Sequence, residues 1–238
     1  VVRTAQCAAR FHAFRVSARF QQYIEGAEMS GRRSGEKRRL FSMRAIRKEI
    51  WPQQPRHRAI VAVDTADSTA RNNTSKARLR HIMYEVFENA LYAAGIENIH
   101  LDPLLDRGDG ILALIHPTVP KTLLLNTFIP ALGEQLSRHD DLRLRAVVHA
   151  GEVHYDRRGC FGESLDLTFR LLAATELKQL LRESPEPLAV VLSEDIYRTV
   201  VRHGYDRIDA DSFTPLVRTQ IAGQTHRGWV RLPSPVLR

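Results

Sequence analysis

Five consecutive apolar residues, Ala59-Ile-Val-Ala-Val63, end on an acid, Asp64, and a polar stretch from Thr65 to Ser75 follows. A short β-branched run stopped by charge predicts a buried strand. A buried strand needs other strands beside it and helices over it, so the order of the remaining elements decides the fold. Leu79, Ile82, Met83, Val86, Phe87, Ala90, Leu91 and Ala94 recur at three- and four-residue spacing. They predict an amphipathic helix capped by Thr74 or Ser75 and closed by Gly95.

A turn-rich segment then leads to Asp106-Arg-Gly-Asp-Gly110 and the apolar run Ile111 to Ile115, which reads as a hairpin. A second helix is expected over residues 119–136, with Leu123, Leu124, Phe128, Leu132 and Leu136 inward. Residues 143–153 read as a strand, 162–181 as a third helix, 188–192 as a strand and 193–201 as a short capped helix. The tail, 215–232, has β texture with a turn near 223–228. The order β-α-β-β-α-β followed by further elements describes an α+β fold with a ferredoxin-like core.

The net charge of +8 on 238 residues invites a nucleic-acid partner, so its location matters. Residues 1–50 carry twelve basic and four acidic side chains, while residues 51–238 carry 23 of each sign. The basicity belongs to an N-terminal extension, 1–50, whose stretch 26–39 (GAEMSGRRSGEKRR) has the composition of a flexible linker. Met29 and Met43 are alternative starts. The functional domain is expected in the neutral body, 51–238, with no nucleic acid and no membrane as partner. The longest apolar stretch, 122–136, is interrupted by Asn126, Thr127 and Pro130 and falls short of the roughly 18 residues a membrane helix needs. Two cysteines, Cys7 and Cys160, make neither a disulfide framework nor a Cys-rich zinc site and point to a reducing, cytoplasmic setting.

Two acids stand out by position. Asp64 ends the buried strand beside Thr65, Ala66, Asp67, Ser68 and Thr69, where a divalent cation could sit and backbone N–H groups could face phosphate oxygens. Asp109 lies between two glycines at the hairpin tip, which permits close backbone approach. Two converging carboxylates are what two-metal phosphoryl chemistry requires. The plainer alternative makes Asp64 a cap and Asp109 a turn acid. Asp166 and Arg170, four apart, share one helix face. They read either as a surface ion pair worth about 0.3–0.5 kcal/mol or as groups directed at a ribose and a phosphate. His149 reads as a core or interface histidine, since no second histidine lies at metal-ligand spacing.

Four segments in this order, VAVDTADST, DRGDG, RAVVHAGEV and GESLDLTFRLL, resemble the class III nucleotidyl cyclase catalytic domain, over residues 56–232. The resemblance implies a homodimer with active sites at the subunit interface. Asp64 and Asp109, with Thr65, would hold two Mg²⁺ or Mn²⁺ ions per site. The backbone from Thr65 through Ala66, Asp67, Ser68 and Thr69 would cradle the triphosphate. Arg170 of the partner would stabilise charge at the α-phosphate, and Asp166 falls where purine cyclases place a ribose-positioning Asn.

The departures from that pattern concern the base. The adenine-selecting Lys position is Leu105, the second base-selecting position is Gly159, and the Lys expected near the C-terminal hairpin is replaced among Gln224, His226 and Arg227. In an extended strand Leu105, Arg107 and Asp109 would share a face, so Arg107 is expected near the base, its donor fork suited to the carbonyls of uracil. The RGDG hairpin and the LDLTFRLL helix look like the bacterial antiphage pyrimidine (Pycsar) cyclases, which implies UTP as substrate and a separate cyclic-nucleotide-sensing effector protein. The alternative is a catalytically inactive nucleotide-binding homologue acting as a regulatory module.

Overall fold

A computed structural model describes residues 54–231, so the expected basic extension lies outside the described residues. Within them, 55–154 and 161–231 form one compact unit, and the tip Tyr155–Cys160 of a hairpin falls outside it.

Strand β1 (Arg56–Thr65) is buried from Ala59 to Val63, as its apolar run predicts. It leads into helix α1 (Asn73–Ala93), whose true cap is Asn72: its Oδ1 accepts the Ser75 N–H at 2.9 Å. That cap corrects the assignment to Thr74 or Ser75, both already inside the first turn. Two-residue β2 (Leu105–Asp106) and β3 (Gly110–Ile115) form the expected hairpin. Helix α2 covers residues 121–136 and contains a π turn, Leu124–Phe128, immediately before Pro130. Proline has no N–H and crowds the carbonyl four residues back, and the wider turn relieves both.

Strand β4 (Leu144–Asp156) is longer than expected and turns back into β5 (Gly159–Phe161). The Asp156 carboxylate holds that turn by accepting the Arg158 and Gly159 N–H groups at 2.7 and 2.9 Å.

The third expected helix is two helices, α3 (Glu163–Leu172) and α4 (Thr175–Glu183), broken at extended Ala174. In one continuous helix Lys178, seven residues after buried Leu171, would fall on the buried stripe. The break rotates Leu177 and Leu181 inward instead and leaves Lys178 exposed. Strand β6 (Leu188–Ser193), helix α5 (Glu194–Thr199, capped by Ser193) and the hairpin β7 (Phe213–Ile221) and β8 (Gln224–Arg231) complete the fold. The β7–β8 turn lies at Ala222-Gly223, ahead of the expected 223–228. The β7 register shifts between Thr214 and Val217, around Pro215, which cannot donate to a ladder.

The sheet order is β2-β3-β1-β4-β6-β8-β7. Its first four strands are antiparallel throughout, with α1 and α2 in the two crossovers: the ferredoxin-like βαββαβ core. Odd-numbered β1 residues (Ala59, Val61, Val63) join the core beneath α1 and α2. Even-numbered Ile60 and Ala62 are buried on the opposite face. Asp64 shares their phase, and Lys178 of α4 lies close enough to act on its charge. Among the described residues no helix is long and apolar enough to cross a membrane.

Candidate active site

Asp64 stands at the exit of β1 between two strands, opposite Gly110 of β3 and Arg145 of β4. The register puts Arg145 beside it, and Nε and Nη2 of Arg145 donate to the two carboxylate oxygens, each at 2.8 Å. Burial pushes the Asp64 carboxyl up, the charge and hydrogen bonds of Arg145 pull it back, and the negative charge of Asp109 pushes it up again. The balance is a pKa of about 6.

The position of Asp109 follows from its glycines. Gly108, at φ +82°, turns the chain back at the hairpin tip. A Cβ on Gly110 would collide with the Val63 carbonyl, so only glycine lets β3 start directly against β1. That contact lets the Thr65 N–H donate to the Asp109 carbonyl at 2.8 Å, and the Ser68 hydroxyl donates to the Asp109 carboxylate. Helix α1 braces the hairpin from the other side. Arg80 donates to both oxygens of Asp106 and, at 2.6 Å, to the Gly108 carbonyl. Those bonds hold Asp106 below the usual carboxylate range.

Gly110→Ala should destabilise the fold by about 1–3 kcal/mol through this overpacking. Urea unfolding measures the loss, and wild-type stability would refute the close-approach argument.

The expected phosphate cradle is narrower than residues 65–69. The Thr65 N–H is taken by Asp109 and the Ala66 N–H donates to the Arg143 carbonyl at 2.9 Å. The Thr65 side chain is buried against Met83, with Oγ1 3.6 Å from Sδ, which leaves only its carbonyl for a cation. Asp67 adopts a left-handed φ of 54° as the chain enters the single turn Ser68–Ala70. Among the described residues the N–H groups of Asp67, Ser68 and Thr69 meet no backbone acceptor. Of the five N–H groups expected to face phosphate, those three have no backbone acceptor among the described residues.

Helix α3 buries Leu165, Leu167, Leu171 and Leu172 and turns Asp166 and Arg170 outward. No ion pair or hydrogen bond joins Asp166 to Arg170 or, among the described residues, to any other side chain. The surface ion pair is therefore not what holds them. Arg107 does not share a strand face with Asp109 either. Its N–H closes a turn onto the Gly110 carbonyl at 2.9 Å, so residues 107–109 form the hairpin turn rather than extended strand. Asp109 faces Ser68, while the Arg107 guanidinium lies over the Phe169 ring, 4.1 Å from its centroid.

His149 is a core residue, 3% exposed, with Nδ1 2.8 Å from the Ser193 hydroxyl. Burial pushes its pKa down to about 4. Three further residues at the site escaped the sequence reading: Arg145, Phe169 and Arg80. Only Arg145 carried a signal, a charge in the inward phase of an apolar strand, shared with Val147.

No protein-family model matches the chain, and no curated protein does. Solved structures do. The adenylate/guanylate cyclase/hydrolase from Silicibacter pomeroyi superposes with a TM-score of 0.53 at 19% identity, over 76% of this chain and 99% of that one. The guanylyl cyclase Cya2 gives 0.50 at 15% identity, over 78% and 97%. A bacterial light-regulated adenylyl cyclase gives 0.51 at 12%, over 82% and 62%. The fold is that of a class III cyclase domain.

The residues present fit a hard divalent cation. Among the described residues no three His, Cys, Asp or Glu side chains gather at metal-binding distance. Asp64 and Asp109 offer two carboxylates at one strand end, and Mg²⁺ commonly takes one or two carboxylates, completing its shell with water and substrate phosphate. Burial first, and the Asp109 charge after it, raise the Asp64 pKa despite Arg145, and a bound cation would offset both.

A pH dependence follows. In metal-free protein Asp64 keeps its proton up to about pH 6, whereas the unfolded chain loses it near 3.8. The folded state binds more protons in that window, so this contribution to stability falls as pH rises from about 4 to about 6, then levels. His149 works oppositely, losing stability as pH falls from 6.5 towards 4. Asp64→Asn removes the first effect alone, so urea unfolding should show the variant gaining on wild type between pH 4 and 6. A constant difference would contradict the raised pKa.

Proposed function

We propose that this chain is a metal-dependent nucleotidyl cyclase. It converts a nucleoside triphosphate, with UTP the leading substrate, into a 3′,5′-cyclic nucleotide and pyrophosphate, as a homodimer. The observation that carries the reading is the meeting of Asp64 and Asp109 at the shared end of β1 and β3, beside the N–H groups of Asp67, Ser68 and Thr69. The structures that share this fold are described as adenylate, guanylate, guanylyl and adenylyl cyclases.

The 3′-hydroxyl oxygen forms a bond to the α-phosphorus, the bond from that phosphorus to the bridging oxygen breaks, pyrophosphate leaves, and the hydroxyl proton passes to solvent. Asp64 and Asp109 hold two Mg²⁺ or Mn²⁺ ions, which supply Lewis-acid charge neutralisation on the triphosphate. The N–H groups of Asp67 to Thr69 face the phosphate oxygens, and Arg145 fixes the Asp64 rotamer by its two-point contact. Asp166 of the second subunit positions the ribose and Arg170 of that subunit meets the charge growing on the α-phosphate. Both side chains lie on the exposed face of α3 and, among the described residues, make no ion pair, as groups that work on another subunit's substrate would.

Resemblance of the RGDG hairpin and the LDLTFRLL helix to antiphage pyrimidine cyclases supports a role in antiviral signalling in the cytoplasm. The cyclic nucleotide would then act on a separate effector protein. Leu105 and the lack of Lys in the β7–β8 hairpin favour the second reading, an inactive nucleotide-binding module. Incubation of the full chain with Mn²⁺ and each of the four NTPs, with products resolved by mass, separates the two. Cyclic UMP and pyrophosphate in equal amounts support the cyclase. Bound but unconverted NTP supports the module.

A further inference from the structure

The Arg107 guanidinium is exposed, and among the described residues no carboxylate or carbonyl accepts from its side chain. Among the described residues its guanidinium lies over the ring of Phe169. A guanidinium over an aromatic ring face is held by cation–π attraction, which spends none of its N–H groups on a hydrogen-bond acceptor. Its backbone is fixed too, by the turn to Gly110 and by the Arg80 brace on Asp106. Arg107 is thus held at its backbone and at its guanidinium, and among the described residues its side-chain N–H groups meet no acceptor. Phe169 sits between Asp166 and Arg170 in sequence, so the guanidinium is carried next to the two α3 residues assigned to ribose and phosphate.

We propose that Phe169 is a positioning residue for base selection, holding Arg107 so that its donors meet the carbonyl oxygens of the nucleobase. The inference rests on the cyclase reading of this site. A donor-only group matches the two carbonyl acceptors of uracil, O2 and O4, better than adenine, where the amino group donates beside the N1 and N7 acceptors. Without the ring, Arg107 regains rotamer freedom and swings clear, and discrimination falls while the chemistry at Asp64 and Asp109 stays intact.

The experiment compares kcat/KM for UTP and ATP in wild type, Phe169→Leu, Phe169→Tyr, Arg107→Ala and the double variant Phe169→Leu/Arg107→Ala. Phe169→Leu should lower the UTP/ATP ratio about tenfold, chiefly through KM for UTP. Phe169→Tyr, which keeps the ring face, should retain the ratio. The double variant should show the ratio of Arg107→Ala with no further loss, because the ring acts only through Arg107. An equal fall for UTP and ATP in Phe169→Leu would make Phe169 structural and overturn the proposal, as would an unchanged ratio. If wild type makes no cyclic product, the cyclase reading fails by itself. The same UTP/ATP ratio is then read by calorimetric binding of each NTP, with loss in Phe169→Leu supporting the proposal and no loss overturning it.

Discussion

Asp109→Ala should reduce cyclase turnover by more than about 10³-fold, since under the proposed mechanism it removes one of two carboxylates that would hold the cations. The loss should come without unfolding. The Asp109 carboxylate is exposed and among the described residues accepts a hydrogen bond from Ser68, while the hairpin around it is held by backbone contacts and by Arg80. Far-ultraviolet circular dichroism and melting temperature should therefore match wild type. Raising Mn²⁺ should recover little, because Asp64 alone cannot fix two ions. Near-normal turnover in this variant would remove Asp109 from the chemistry and with it the proposed mechanism.

Arg170→Ala should cost about 10²–10³-fold in kcat, the usual price of losing one charged donor at a developing anion. Its KM for NTP should change far less, because the proposed contact would strengthen as charge moves onto the α-phosphate. The fold should not notice the change, since Arg170 lies on the outer face of α3 away from Leu167 and Leu171. A rise in KM with unchanged kcat would instead make Arg170 a binding residue for the ground state.

Much of the fold was legible because it depends on local pattern. The buried run 59–63, the stripe from Leu79 to Ala94 and the glycines around Asp109 each act within a few residues. The βαββαβ order and the strand-end acids followed from them. What escaped depends on register and on phase. Arg145 meets Asp64 only because β1 and β4 pair at that register, 81 residues apart in sequence. The break at Ala174 was visible as a conflict between Leu171 and Lys178, but an average over the segment hides a change of phase. Arg107 was misplaced because an extended strand was assumed where Gly108 makes a turn. Thr65 and Ala66 drop out of the expected phosphate contacts because their N–H groups bond to neighbouring loops that no local pattern reveals.

The central claim is that each active site joins the carboxylates of one subunit to the α3 residues of another. Mixing the inactive Asp109→Ala and Arg170→Ala chains tests it most directly, after unfolding and refolding them together. At equal ratio half the dimers are mixed, and each mixed dimer keeps one intact site. Cyclase activity should return to about a quarter of the wild-type value, although neither variant alone exceeds a small fraction of it. A mixture as inactive as its components, with mixed dimers present by native mass spectrometry, would contradict the account.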